Sequence, residues 1–294
     1  MTATATEPIT RTLEVPGATL TYDVRPNDQT TEPVLVLIGS PMGAGGFTTL
    51  ASHFPDRTIV TYDPRGSERS TAHDKAAGIT PEVQADDVHR IIELVGGGKP
   101  VDLFATSGGA VVALDLIAKH PGDVRVAVAH EPPLASLVPD RDHALAALRA
   151  MHDMYNESGP NVGMARFLQV VMHAGPFTEA EATAPPPDPA MFGMPTGDDG
   201  TRDDLMLAHN VLWLTSYEPD LQALKAAPTR LVIAVGAGSH GELAQRGGIE
   251  VAKRLGTDAI PFPGDHGGFL GGEYGQTGEP DAFAAKLREV LEER

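Results

Sequence analysis

Short, wholly apolar, β-branched runs alternate with helix-patterned stretches along most of this chain, and that alternation leaves few folds open. Val34-Leu-Val-Leu-Ile38 stops at Gly39, and Thr58-Ile-Val-Thr-Tyr62 ends in Asp63-Pro-Arg-Gly66. Val101-Asp-Leu-Phe104, Val124-Arg-Val-Ala-Val-Ala-His130, Arg230-Leu-Val-Ile-Ala-Val235 and Ala259-Ile-Pro-Phe262 follow, and Leu20-Thr-Tyr-Asp-Val24 reads as an earlier strand. Between them, residues 81–95, 108–120, 242–255 and the stretch from Pro280 read as helices; Val83, Val88, Ile91, Ile92 and Val95 fall on one face of the first. Strands joined by crossover helices pair in parallel, and a parallel sheet is buried only if helices cover both faces. The expected fold class is therefore α/β, a mostly parallel sheet with helices on both faces.

The alternation breaks over residues 134–228. Helical stretches at 140–155, 162–173 and 203–217 surround a Pro/Gly-rich loop, Ala184-Pro-Pro-Pro-Asp-Pro-Ala-Met-Phe-Gly-Met-Pro195. A long irregular segment inside a domain is usually a functional lid or disordered. We read it as a helical cap, which divides the chain into a core of residues 1–133 and 229–294 and a cap of residues 134–228.

Composition narrows the chemistry. The absence of cysteine excludes thiolate nucleophiles, disulfides and Cys-based metal sites. A formal net charge of −18 repels nucleic acid and anionic membranes, so neither is expected as a partner. No apolar run approaches the roughly 18 residues of a membrane span, and the first residues lack the basic start and apolar stretch of a secretory signal, so a cytoplasmic location is expected. The histidines show no His-x-x-x-His spacing, and neither a metal nor another cofactor is expected.

The site is announced at Phe104-Ala-Thr-Ser107-Gly-Gly-Ala110, where a serine stands between an apolar strand and an apolar helix with no room for a loop. Ala105 and Gly109 flank it at two residues' distance, as a turn this tight requires, and the helix directs its N-terminal amides towards negative charge forming there. A phosphate loop or a capping serine is the plainer reading of Ser-Gly-Gly alone. A nucleophilic serine needs a base, and His266, in Pro263-Gly-Asp-His-Gly-Gly268 after the last strand, is the candidate among eleven histidines. His240 is its competitor.

These motifs together resemble the α/β-hydrolase superfamily of serine hydrolases. Ile38-Gly39-Ser40-Pro41 sits where that family has its oxyanion loop, Asp63-Pro-Arg-Gly66-Ser67 resembles its next turn, and Gly264-Asp-His266-Gly resembles its catalytic-histidine loop. The resemblance implies an α/β-hydrolase fold, Ser107 as nucleophile, and an oxyanion hole formed by Gly108 and Ser40, with Gly39 close behind.

The third member of the triad departs from the commoner pattern. Most of the superfamily carries an Asp on the turn after the penultimate strand, but here that turn is Ala234-Val-Gly-Ala-Gly-Ser-His-Gly241, and Glu242 arrives only at a helix start. Glu131, in Val128-Ala-His-Glu131-Pro-Pro133, ends the strand after the elbow, where a buried charge requires a partner. Haloalkane dehalogenases and fungal zearalenone lactonases carry their acid there, and the His-Glu-Pro-Pro run resembles the latter. Glu131 is the expected acid, with Glu242 and Asp265 as alternatives; the plainer alternative for Glu131 is an ion pair closing the cap onto the sheet.

Seven of the nine methionines and the only tryptophan fall in the cap. Flexible, polarisable side chains suit a lid over an apolar ligand, although helical Met is commonly just core. Met154, Trp213, Met191 and Met206 are the expected pocket residues. The expected activity is hydrolysis of a small apolar ester or lactone through an acyl-enzyme, with resorcylate macrolactones of the zearalenone type as one substrate class. C–C bond hydrolysis, cofactor-free perhydrolase or haloperoxidase chemistry, and non-catalytic ligand binding are the alternatives.

Overall fold

A computed structural model describes residues 7–74 and 79–293. In chain order the strands are β1 (Ile9–Val15), β2 (Ala18–Arg25), β3 (Leu35–Ile38), β4 (Ile59–Tyr62), β5 (Thr71–Ala72), β6 (Val101–Thr106), β7 (Val124–His130), β8 (Arg230–Gly236) and β9 (Ile260–Phe262). The helices are α1 (Thr48–Ser52), α2 (Pro81–Val95), α3 (Gly108–Lys119), α4 (Arg141–Ser158), α5 (Pro160–Val171), α6 (Glu179–Ala182), α7 (Val211–Ser216), α8 (Leu221–Ala226), α9 (Leu243–Leu255) and α10 (Pro280–Glu292). The sheet runs in the order β1-β2-β4-β3-β6-β7-β8-β9, with β5 on the flank of β2. From β4 to β9 every pairing is parallel, whereas β1, β2 and β5 attach antiparallel.

The parallel strands and their helices lie where the apolar periodicity places them. Helix α2 starts at Pro81 behind Thr80, whose hydroxyl accepts the Val83 N–H, and α10 likewise begins on a proline. The hairpin strand β1 carries no such announcement. Its residues are mostly exposed, and what holds it is pairing with β2 across a turn at Gly17, where φ is +79°. One face of the sheet packs against Val88, Ile91 and Ile92 of α2 and the apolar face of α3; the other packs against Leu50 of α1 and Phe283, Leu287 and Val290 of α10.

Helices α4 to α8 all lie between β7 and β8, and α4 and α5 share a cluster of their own around Leu148, Met151, Tyr155 and Val170. The stretch before α7 is not α-helical: Met206–Asn210 winds as a π-helix. Such single-turn π segments recur at functional sites.

A buried ionic network ties the sheet to its surroundings. Asp102 of β6 is fully buried and receives Arg57 at 2.7 Å and both Nε and Nη2 of Arg125, at 2.9 and 2.7 Å. Arg57 is itself almost wholly buried. Asp102→Ala should therefore lower stability by about 3–5 kcal/mol, because it leaves the buried Arg57 guanidinium with only the exposed carboxylate of Glu32, at 3.2 Å. Urea unfolding measures this, and a change within about 0.5 kcal/mol would show that the network relaxes at little cost.

Candidate active site

Ser107 occupies the turn between β6 and α3 with φ +56° and ψ −128°. A non-glycine residue in that region is strained by about 1–3 kcal/mol, so the surroundings must impose it. They do so from both sides, since the Ser107 N–H donates to the His130 carbonyl at 2.9 Å and its own carbonyl accepts from Ala110 at 2.9 Å. The two glycines that follow are dictated by contact. A Cβ on Gly108 would come within 2.5 Å of the Ser40 carbonyl oxygen, and one on Gly109 within 2.7 Å of the Ile38 carbonyl oxygen. The elbow is thus pressed against the turn that ends β3.

That turn is held from α2. The buried Ser40 hydroxyl donates to Gln84 Oε1 at 2.7 Å, and the Ser40–Pro41 peptide is cis. Ser40 and Gly108 both line the same cavity as Ser107. Among the described residues no backbone carbonyl takes the N–H of either. Gly39 is not on the cavity wall; it lies against Met42, whose carbonyl oxygen a Cβ there would meet at 2.7 Å. Asp63 and Arg65, from the following turn, are structural. Asp63 accepts the Ala44 N–H and pairs with Arg69, while Arg65 makes a two-point pair with Asp87 of α2 at 2.8 and 2.6 Å.

His266 reaches the cavity from the loop after β9, and Glu131 lies behind it. The Glu131 carboxylate is fully buried; Oε2 sits 2.6 Å from His266 Nδ1, and Oε1 accepts the Gly236 N–H at 2.8 Å. Burial alone would raise the Glu131 pKa. The hydrogen bond with His266 and the positive charge it brings outweigh burial and hold the carboxyl below its ordinary range. Desolvation likewise works to lower the His266 pKa, but the Glu131 hydrogen bond and the charges of Glu131, Glu242 and Asp265 push it above the usual value. Gly236 leaves room for this arrangement, because a Cβ there would meet Ser239 Oγ at 2.6 Å and the Asp265 backbone at 2.7 Å.

The other candidates occupy different places. Glu242 lines the cavity at the start of α9 but makes no hydrogen bond or ion pair with His266; burial and the nearby Glu131 charge raise its pKa. Asp265 is exposed and caps its own loop, accepting the Gly267 N–H at 2.9 Å. His240 is exposed. His130, wholly buried with Nδ1 3.1 Å from the Thr106 hydroxyl, has its pKa lowered to about 4 by burial, which keeps it neutral.

The cavity has a volume of about 430 Å³ and is walled mainly by apolar cap residues, among them Leu148, Phe167, Leu168, Val171, Met172 and Leu214. Of the four pocket residues expected from sequence, only Met206 is on its wall. Helical phase explains two of the others. Asn210, Val211, Leu214 and Thr215 face the cavity, so Trp213 points off that face, stacks on His209 at 5.4 Å and borders a separate surface cleft beside Thr80 and Tyr217. On α4, Leu148, Met151 and Tyr155 form the buried face, and Met154 lies beside it. Met191 is 77 % exposed in the Pro-rich turn. The wall residues missed from sequence include Phe167, Leu168 and Val171, an i, i+1, i+4 apolar pattern that marks an inward helix face.

Tertiary structure also gathers one set of metal-type side chains that spacing did not suggest. His89, His120 and Asp123 bring donor atoms within 4.8 Å of one another, away from the cavity. The two imidazoles are stacked at 3.7 Å and nearly parallel, and His89 Nδ1 is 2.7 Å from Asp123. Parallel rings direct their lone pairs side by side, which suits a stacked, carboxylate-bound pair better than two ligands converging on one ion.

Comparison with known proteins matches this geometry to a fold. The sequence pattern of the alpha/beta hydrolase fold family matches residues 32–220. The uncharacterized hydrolase YraK of Bacillus subtilis (strain 168) is 28% identical over 287 residues, covering 96% of this chain and 95% of that protein. The enol-lactonase of Burkholderia xenovorans LB400 superposes with a TM-score of 0.66 at 16% identity, covering 96% of this chain and 100% of that one. A thermophilic esterase of Thermogutta terrifontis superposes with a TM-score of 0.65 at 17% identity, covering 97% and 98%. At these identities the two structures share the fold.

The Glu131–His266 pair predicts a definite pH signature. The Glu131 carboxyl is depressed, so its contribution is complete above the ordinary value of 4.5 and is lost as pH falls through the depressed one. The His266 value is raised, so its contribution is complete below 6.5 and is lost as pH rises through the raised one. The stability difference between the wild type and Glu131→Gln should peak between those two pH values and narrow on either side. His266 should titrate lower in the variant by NMR. An unchanged His266 titration would refute the coupling.

Proposed function

Because the chain belongs to the alpha/beta hydrolase fold family, we propose that it is a serine hydrolase that cleaves a carboxylic ester or lactone through an acyl-enzyme. One observation carries this reading: His266 faces the cavity it shares with Ser107 while its Nδ1 is occupied by a buried carboxylate, Glu131, at 2.6 Å. A histidine whose Nδ1–H is held in that way presents Nε2 as the base.

In the proposed mechanism Ser107 Oγ attacks the carbonyl carbon of the ester and His266 Nε2 takes its proton. The negative charge that develops on the carbonyl oxygen is met by the N–H groups of Gly108 and Ser40, which have no backbone acceptor among the described residues. The tetrahedral intermediate collapses, the alkoxy oxygen leaves with the proton from His266, and the acyl group remains on Ser107. Water, deprotonated by the same nitrogen, then releases the acid and restores the serine. With a lactone the departing hydroxyl stays tethered, so one ring-opened hydroxy acid is the product. Glu131 stabilises the imidazolium in both halves and acts as a positioning residue.

A mainly apolar cavity of about 430 Å³ favours an apolar substrate of drug-like size over a small polar one. The His130-Glu131-Pro132-Pro133 run makes resorcylate macrolactones the first lactones to try. The enol-lactonase and esterase folds cited above are consistent with this class.

Ser107→Ala should abolish ester turnover and labelling by a fluorophosphonate probe while the protein stays folded. Glu131→Gln should reduce kcat by as much as about 10⁴, the loss seen when the acid of a Ser-His-Asp triad is neutralised. It should also move the acidic limb of kcat/KM to lower pH, because the charge that raises the His266 pKa is gone. Turnover of aryl esters and macrolactones with product mass analysis checks all three, and wild-type rates in Ser107→Ala would exclude the mechanism.

A further inference from the structure

One buried polar side chain on the cavity wall has no partner among the described residues. Asn210 ends the π-helix Met206–Asn210, is only 3% exposed, and lines the cavity. Its Oδ1 is fully buried without a hydrogen bond, and among the described residues its amide nitrogen has no acceptor. The other polar residues of the wall differ. The Ser40 hydroxyl is taken by Gln84, and that of Thr215 donates to the Val211 carbonyl at 2.7 Å. Gln276 is exposed at the surface, and Glu242 is only half-buried, so water reaches both.

A buried amide left unsatisfied is destabilising, and leucine at the same place would fill nearly the same space without that loss. The chain keeps an asparagine in a mainly apolar wall, at the end of the π-helix and on the face that continues through Val211, Leu214 and Thr215 of α7. Packing does not account for it, whereas a ligand group would. A hydroxyl both donates and accepts, and so pairs with whichever amide atom faces the cavity in either of the two amide orientations.

We infer that Asn210 is a specificity-determining residue that hydrogen-bonds a hydroxyl group carried by an otherwise apolar ester or lactone, away from the scissile bond. The inference rests on the ester-hydrolase reading for the identity of the ligand, but the recognition it describes does not depend on turnover. A site built to bind a hydroxyl rejects the analogue that lacks it, because the site's own polar group is then left unpaired.

The test compares p-nitrophenyl esters of phenylpropionic acid with those of its meta- and para-hydroxyphenyl counterparts. Wild type should favour the better hydroxylated ester by about tenfold or more in kcat/KM. Asn210→Leu should bring that ratio close to one, and its Tm should equal or exceed that of the wild type. In Ser107→Ala, which leaves the esters intact, the hydroxylated compound should raise Tm more than the plain one, and Ser107→Ala/Asn210→Leu should lose the difference. A wild-type ratio near one, a ratio retained in Asn210→Leu, or a fall in Tm on that substitution would each overturn the inference, the last by making Asn210 structural. If no ester in the series is hydrolysed, the hydrolase reading fails by itself. The Tm shifts in Ser107→Ala then still decide, and equal shifts for the two compounds overturn the role of Asn210.

Discussion

The buried carboxylate of Glu131 joins three separate parts of the chain. It stands at the end of β7, its Oε1 takes the N–H of Gly236 at the end of β8, and its Oε2 meets His266 in the loop after β9. A carboxylate with no solvent access is costly unless paired and hydrogen-bonded, so each of these contacts constrains the others. Loss of Gly236 as glycine would push Ser239 and the Asp265 backbone away, and with them the loop that carries His266. The positive φ of Glu131, +51°, belongs to the same constraint, because its N–H is meanwhile held by the Ala234 carbonyl at 2.9 Å.

The serine side of the site is fixed by a second contact, between the elbow and the turn after β3. Gly108 and Gly109 let the start of α3 lie against the backbone of Ile38, Gly39 and Ser40. Gln84 then anchors Ser40 from α2, whose position is in turn set by the Arg65–Asp87 pair. The strained backbone of Ser107 is therefore supported by neighbours on the sheet and by the helix that follows. In the proposed mechanism that support is what holds two free N–H groups at the developing oxyanion without reorganisation during the reaction.

Above the sheet the cap contributes the walls. It packs on itself through Leu148, Met151, Tyr155 and Val170, and the residues that close the cavity are aliphatic and aromatic, with Met172 and Met206 the methionines among them. Asn210 stands apart from that wall in chemistry, at the end of the π-helical turn that precedes α7. In the proposed function the segment between β7 and β8 sets the substrate's shape and polarity, while the residues proposed for the chemistry stay at the ends of the strands.

The α/β layering, the parallel strands and the run from Phe104 to Ala110 were legible in the amino-acid order because each rests on local physics. Apolar runs bury, period sets element type, and a strand that meets a helix without a loop admits only small neighbours. Glu131 was legible for a similar reason, since a carboxylate at the end of an apolar strand demands a partner. The hairpin strand β1 was not, because its mostly exposed residues are held by pairing to β2 and carry no apolar signal of their own. Nor could composition say which cap residues face the cavity. Trp213 and Met154 lie one helical step off the inward face, and Met191 lies in the solvent, while Phe167, Leu168 and Val171 supply the wall. Helix phase relative to a cavity, the π-helical winding at Asn210, and the 2.6 Å approach of Glu131 to His266 across 135 residues of chain all depend on how distant segments pack. Those relations have no counterpart in local sequence, and the tertiary structure alone decided them.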